Sequence, residues 1–337
     1  MRRLGKSEGG VAARGSRRPV ALMSGLCAAG TVVTAGCGSG PVGGSGSIAE
    51  DFDLSSPQGT VRMTVGSKNF TEQEVLGHIT RQALQAAGAE VVDDTGLGDT
   101  EEVRRALVSG RIDMYWEYTG TGWLVHLAEP NAIADPDELT TAVSEEDLEQ
   151  NGIAWLQPAP ANNTYAIAVR EGAAAELGVR SISDLEDLIE NRPDEATLCV
   201  GPEFGSRADG LPGLQEHYGF EFPGSGVSEV SPTTVYGAVD KGETCTFGSV
   251  FRTNGRIPEL GLELLEDNEN FFAAYNPALT MRQDTLETYP ELTDLFEPIA
   301  EKLDTETLRE LSADVEVEGN DPATVAERWL SENGFTG

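Results

Sequence analysis

Arg62-Met63-Thr64-Val65-Gly66-Ser67-Lys68-Asn69-Phe70-Thr71-Glu72-Gln73-Glu74-Val75-Leu76 is the stretch from which the fold can be read. Residues 62–65 alternate as a short strand, and residues 66–70 read as a loop. Thr71-Glu72-Gln73-Glu74 has the spacing of a capping box, in which a hydroxyl and a carboxylate three residues apart satisfy free N–H groups. The helix that follows puts Val75, Leu76, Ile79, Ala83 and Leu84 on one face, and Gly88 stops it. Outward from there, residues 90–92 read as a second strand. A helix starts at Thr100, turns Val103, Ala106 and Leu107 inward and ends at Gly110. Residues 112–115 make a third strand, in which Tyr115 and Trp116 point to opposite sides. Strands alternating with helices imply a parallel sheet with crossover connections.

The alternation then repeats. Residues 165–169 read as a strand, 182–189 as a helix and 197–200 as a strand. Residues 212–218 and 233–240 read as helices, a strand follows from Thr244, and helices at 290–303, 305–313 and 322–333 form a C-terminal tail. Two α/β lobes fit this order. Ligands of open α/β sheets sit beyond the C-terminal ends of the strands. Lys68 follows the first strand, and Glu117-Tyr118-Thr119-Gly120-Thr121 follows the third. Asn162-Asn163-Thr164-Tyr165 opens the second lobe, and Glu203-Phe204-Gly205-Ser206-Arg207 follows the Cys199 strand. Tyr236 lies in the helix before the Cys245 strand, and Phe251 follows that strand. Aromatic and basic residues thus recur at the mouths of both lobes. Each also has a plainer reading: a tyrosine beside a strand packs, Lys68 is a solvated loop charge, and Arg207 pairs with Asp209.

The first residues have another character. Arg2, Arg3, Lys6, Arg14, Arg17 and Arg18 make a basic head, followed by a weakly apolar run over residues 20–35. This is the layout of an export signal, and the run is short for a membrane span. It ends in Val33-Thr34-Ala35-Gly36-Cys37, which resembles a bacterial lipobox, with Thr34 where such signals usually carry Leu. Residues 1–37 are therefore expected to be a lipoprotein signal with Cys37 as the lipid anchor. The Gly/Ser-rich residues 38–60 are expected to be a flexible linker. The expected location is extracytoplasmic, on the outer face of the cell membrane, with membrane attachment through the lipid alone.

The chain has 23 basic and 57 acidic residues; beyond Cys37 the count is 17 against 56, a net charge of −39. That excludes nucleic-acid binding, whose footprint is a basic patch. Salt adaptation and attraction of cations both account for the acidity. Cys199 and Cys245 form an even pair in an exported chain, which reads as a disulfide or as two buried thiols. Enzyme signatures are missing. His78, His126 and His217 have no metal-ligand spacing, no Gly-x-Ser-x-Gly elbow occurs, and Gly96-Leu97-Gly98 lacks the third glycine of a dinucleotide site. No catalysis, cofactor or metal is expected. Glu101-Glu102 suits a helix start, where carboxylates favour the dipole.

Five segments in order carry a resemblance. They are residues 66–73, Thr95-Gly96-Leu97-Gly98, Glu117-Tyr118-Thr119-Gly120-Thr121, Asp209-Gly210-Leu211-Pro212-Gly213-Leu214 and Asn254-Gly255-Arg256-Ile257. Together they resemble the osmoprotectant-binding proteins of ABC importers, the glycine betaine/carnitine/choline-binding family. The resemblance implies a two-lobed type II periplasmic-binding-protein fold with a ligand cleft between the lobes. Lobe I would comprise residues 61–162 plus 255–337, and lobe II residues 163–254. It also implies a permease with its ATPase as partner. By the same resemblance Tyr118, Tyr165 and Tyr236 fall at positions of an aromatic cage, and Phe251 stands where the family usually has a further Tyr. A trimethylammonium group has charge but no N–H, and a ring face offers it roughly 0.5–2 kcal/mol. Lys68, Thr121 and Arg207 match positions that hold a ligand carboxylate, which favours glycine betaine over choline. Arg252 and Asn254 depart from the small hydroxyl residue and Asp expected there. The same fold binding an amino acid or polyamine is the alternative.

Overall fold

The computed structural model describes residues 52, 54–56, 59–130, 132–133 and 135–337. The candidate signal and Cys37 lie outside the described residues, as does most of the expected linker. Its last part is docked. Leu54 is buried in the core of the first lobe, and its N–H donates to the Ala87 carbonyl at 2.8 Å. Ser55–Ser56 (β1) pairs antiparallel with Gly59–Thr60 (β2). An apolar side chain in a core and a hydrogen-bonded backbone fix this piece, whatever its Ser/Gly content.

Lobe I follows with Arg62–Lys68 (β3), Thr71–Ala86 (α1), Glu90–Gly98 (β4), Thr100–Val108 (α2), Met114–Tyr118 (β5) and the short Thr119–Thr121 (α3). A π-helical turn spans Gly122–His126, and Pro136–Asn151 (α4) and Ile153–Trp155 (β6) complete this half. The second sheet is built from Tyr165–Arg170 (β7), Ala173–Leu177 (α5), Asp184–Asn191 (α6), Leu198–Val200 (β8), Pro202–Ser206 (α7) and Leu211–Tyr218 (α8). Val227–Glu229 (β9), Pro232–Lys241 (α9), Phe247–Phe251 (β10), Arg256–Glu259 (α10) and Leu262–Leu264 (β11) finish it. The chain then returns through Pro277–Arg282 (β12), Gln283–Thr288 (α11), Glu291–Glu301 (α12), Thr305–Glu316 (α13) and Pro322–Glu332 (α14).

Besides the β1-β2 pair, each lobe has a five-stranded sheet, in the orders β4-β3-β5-β12-β6 and β11-β7-β10-β8-β9. Both are mixed. β3 runs parallel to β4 and β5, but β12 is antiparallel to β5 and β6. In the second sheet β10 is parallel to β8 and antiparallel to β7. The purely parallel sheet expected from alternation is corrected here: β12 arrives from the other lobe, so no helical crossover sets its direction. β11 brings a second correction. It pairs with β7, so residues 262–264 belong to the second sheet and not to the first lobe, as a boundary at 254/255 would have it.

The core of lobe I packs Val65, Leu76, Ile79 and Trp116 against Leu292, Phe296, Ile299 and Leu330 of the C-terminal helices. Tyr115 faces the other side, against Val103, Leu107 and Ile153. In the second lobe Ile167, Leu198 and Phe247 cover α6 and α8, and Cys199, Val250, Val235 and Val239 fill the opposite face. Cys199 and Cys245 are joined by a disulfide with Cα atoms 5.6 Å apart. Helix α1 begins as read, yet without a capping box: Phe70 is its N-cap and gives no side-chain bond. Gln73 instead accepts from the Lys68 N–H at 3.3 Å, because β3 continues to Lys68 and takes the residues read as a loop.

Two segments join the lobes and run side by side. The Asn163 N–H donates to the Tyr275 carbonyl at 3.0 Å, and the Tyr275 N–H donates to Asn162 Oδ1 at 2.9 Å. The Thr164 hydroxyl donates to the Ala273 carbonyl at 3.0 Å. Gly120 packs against this crossing; a Cβ there would lie 2.7 Å from the Ala274 carbonyl oxygen.

Candidate functional site

Strand ends deliver the side chains. Lys68 closes β3, Tyr165 opens β7, Phe251 closes β10, and α7 starts right after β8. Between them lies a cleft of about 380 Å3. Lys68, Phe70 and Thr100 line it from lobe I; Tyr165, Glu203, Phe204, Tyr236, Ser249 and Phe251 line it from lobe II. Five of these are rings. Phe70 stacks on Phe251 across the lobes, with centroids 5.4 Å apart and 13° between planes. Phe251 lies 4.9 Å from Tyr165, and Tyr165 4.9 Å from Phe204. The Phe251 N–H donates to the Tyr236 hydroxyl at 3.0 Å, which fixes that ring beside the row. Burial pushes the Tyr165 and Tyr236 hydroxyls well above the ordinary tyrosine range, so both rings stay neutral.

Lys68 is almost wholly buried, and its ammonium sits 2.6 Å from Glu117 Oε1 and 5.1 Å from the Tyr118 ring centre. Glu117 is a hub. It also accepts from the Tyr118 N–H and the Tyr115 hydroxyl, each at 2.8 Å, and meets His126 Nε2 at 2.8 Å. Burial alone would raise the Glu117 carboxyl, but the Lys68 charge and the His126 bond hold it well below the usual carboxylate range. An ammonium has three donors, so Lys68 keeps capacity on its cleft side.

Of the seven residues expected at the ligand, Lys68, Tyr165, Tyr236 and Phe251 are brought together on the cleft. Tyr118 stands one layer back: it stacks on Phe70 with centroids 6.4 Å apart, and its hydroxyl donates to Glu72 at 2.7 Å. Thr121 is buried in α3 away from the cleft lining. Arg207 is held by its own lobe. Its Nε donates to Asp209 at 2.8 Å and its Nη1 to Glu203 at 3.1 Å, and Nη2 also reaches Asp209. Burial disfavours the guanidinium charge, and the Asp209 bonds more than restore it.

Phe70, Phe204 and Glu203 line the cleft although sequence reasoning gave them no role. Phe70 and Phe204 both lie just past a strand end, the signal that singled out their neighbours. Glu203 has a function visible only in three dimensions. Its carboxylate accepts from the Thr100 N–H at 3.0 Å and the Thr100 hydroxyl at 3.1 Å, across the cleft at the first turn of α2. An anion at a helix N-terminus is favoured by the free N–H groups and the dipole.

Two α/β lobes joined by paired crossings, with an aromatic cleft between them, define a bilobal substrate-binding protein. Residues 61–332 match the family described as the substrate binding domain of the ABC-type glycine betaine transport system. The chain belongs to that family. It is 37% identical over 280 residues to a glycine-betaine-binding protein of Pseudomonas aeruginosa, covering 80% of this chain and 88% of the relative. It is 33% identical over 298 residues to the glycine betaine-binding protein YehZ of Escherichia coli, covering 87% and 97%. The solved apo structure of YehZ superposes with a TM-score of 0.62, covering 82% of this chain and 99% of that one. A crystal structure of a glycine betaine/carnitine/choline ABC transporter, 23% identical, shares the fold with a TM-score of 0.67, covering 81% of this chain and 99% of that one.

Proposed function

We propose that this chain is the extracytoplasmic binding component of an ABC importer and captures a quaternary-ammonium osmoprotectant, glycine betaine first, for a permease driven by its ATPase. The observation that carries this is the row of rings Phe70, Phe251, Tyr165 and Phe204, with Tyr236 beside it, around a cleft of about 380 Å3. That volume is at the low end of small-molecule sites, roughly 300–1,000 Å3. Ring faces suit a cation with no N–H to donate, because they supply negative potential and apolar contact together. Lys68 at the same cleft supplies a donor for the carboxylate of a betaine. The names of the relatives point to the same ligand class.

In this reading Phe70 and Phe204 join Tyr165, Tyr236 and Phe251 as cage walls, with Tyr118 reinforcing Phe70 from behind. Thr121 supports the site from α3, and Arg207 takes part by exchanging one of its carboxylate partners for the ligand. Cys37 carries the lipid, and the residues after it span from membrane to lobe I. Binding and delivery need no chemical step, and none is assigned.

Calorimetry with glycine betaine, carnitine, choline and proline betaine tests the ligand class. Glycine betaine is expected to bind, with affinity lost in Tyr165→Ala. Binding of an amino acid or a polyamine with silence from all four would refute the reading. Mass spectrometry of the membrane-extracted protein tests the anchor: a diacylglyceryl adduct on Cys37 is expected.

A further inference from the structure

Three acidic residues among the described residues are buried, and two of them have a cation: Glu117 has Lys68 and His126, and Asp147 has Arg104. The less buried Asp209 and Glu316 also pair, with Arg207 and Arg256. Glu72 is the third buried one. It is 5% exposed and makes no ion pair. Its bonds come from neutral donors: the Tyr118 hydroxyl at 2.7 Å and Asn163 Nδ2 at 2.5 Å, both on Oε1. Oε2 and Asn163 Oδ1 have no hydrogen-bond partner, although Asn163 is only 4% exposed; the Thr253 hydroxyl, also neutral, stands close enough to Glu72 to favour its charged form.

Glu72 and Asn163 line a cavity of about 20 Å3 together with Phe70, Tyr236 and Phe251, and Thr253 and the Arg256-paired Glu316 line it as well. Those three rings also wall the ligand cleft, so Glu72 stands directly behind the cage. The cavity has room for about one water, whose two O–H groups would serve the two free acceptors. A water solvates the carboxylate but does not balance its charge. A buried carboxylate without a cation is unfavourable, and it resolves this by holding a proton or by acquiring a cation. Burial, only partly offset by Thr253, Asn163 and Tyr118, raises the Glu72 carboxyl above its ordinary value.

We infer that Glu72 is the counter-charge of the bound ligand: the positive head seats on the cleft side of Phe70, Tyr236 and Phe251 and completes an ion pair through the ring layer. This rests on the quaternary-ammonium reading of the cleft and adds a determinant of selectivity to it. The rings favour any apolar head of the right size. Glu72 favours a charged one. Its field reaches the cleft through rings and backbone rather than water, where it is screened least.

The experiment compares glycine betaine with its neutral-headed isostere 3,3-dimethylbutanoate, on wild type and Glu72→Gln, by calorimetry and competition. The amide keeps the size and the Tyr118 bond and deletes the charge. Glycine betaine affinity is expected to fall at least tenfold in the variant, about 1.4 kcal/mol. The isostere should bind no more weakly, and the melting temperature should stay level or rise. An unchanged glycine betaine affinity overturns the inference and leaves the proposed function standing. So does an equal loss for both ligands, or a loss accompanied by a lower melting temperature, since either marks a structural role. Wild type that binds no quaternary ammonium removes both.

Discussion

Replacing Glu117 by Gln deletes one charge from a place where water cannot compensate. The Glu117 side chain is fully buried and the Lys68 side chain is 4% exposed, with 2.6 Å between ammonium and carboxylate. In the variant the Lys68 charge stays nearly buried, facing a neutral amide and the Tyr118 ring. Removing one partner of a buried pair typically costs about 3–5 kcal/mol, mostly through the stranded charge. At about 2–4 °C per kcal/mol for a domain approaching this size, the melting temperature should drop by roughly 6–20 °C. Lys68→Met alone should cost a similar amount, and the double variant less than the sum of the two, because no charge is then left unpaired. Calorimetric unfolding of the four proteins gives the cycle. The pH dependence has a definite sign. Glu117 is held below its unfolded value of about 4.3, so its contribution is complete above that pH and is lost as pH falls towards the folded value. The gap between wild type and Glu117→Gln should therefore close in acid. A gap under about 1 kcal/mol at pH 7, or one that widens below pH 4, would refute this account.

Glu203→Gln should weaken glycine betaine about fivefold, since the charged bond to the first turn of α2 forms only with the lobes together. Half-exposure of Glu203 keeps this modest; calorimetric affinities that agree within error count against a closing contact. Reducing the Cys199–Cys245 bridge, which spans 46 residues, should cost about 4 kcal/mol by loop entropy. Denaturant unfolding with and without reductant measures it, and a midpoint indifferent to reductant would contradict it. For Glu72 the sign is opposite to Glu117: its carboxyl is raised, so its contribution is present below about pH 4.3 and is lost as pH rises through the folded value. Glu72→Gln should accordingly flatten the loss of ligand-free stability as pH rises above about 4.3, read from melting temperatures.

The sequence by itself determined the α/β alternation, the two lobes and the helical tail, because apolar periodicity and Gly breaks are local signals. Residues 71–86 and 100–108 show this: each helix lies close to where its pattern put it. It also put Lys68, Tyr165, Tyr236 and Phe251 near the mouths of the two lobes, since ligands of such sheets collect at strand ends, and the fold brings the four to one cleft. Only the tertiary structure decided the rest. Whether β12 runs parallel or antiparallel depends on where the chain comes from, not on Pro277–Arg282 themselves. β11 carries three residues and joined the second sheet because its partner β7 was there. The Thr71 box gave way when β3 lengthened to Lys68 and drew Gln73 onto its N–H. Charge pairing was the least legible property of all. Nothing local distinguishes Glu72 from Glu117, yet one is surrounded by cations and the other by neutral donors. The Tyr118 and Asn163 bonds of Glu72 and the Lys68 bond of Glu117 come from residues 46 to 91 positions away, and only a folded chain brings those together.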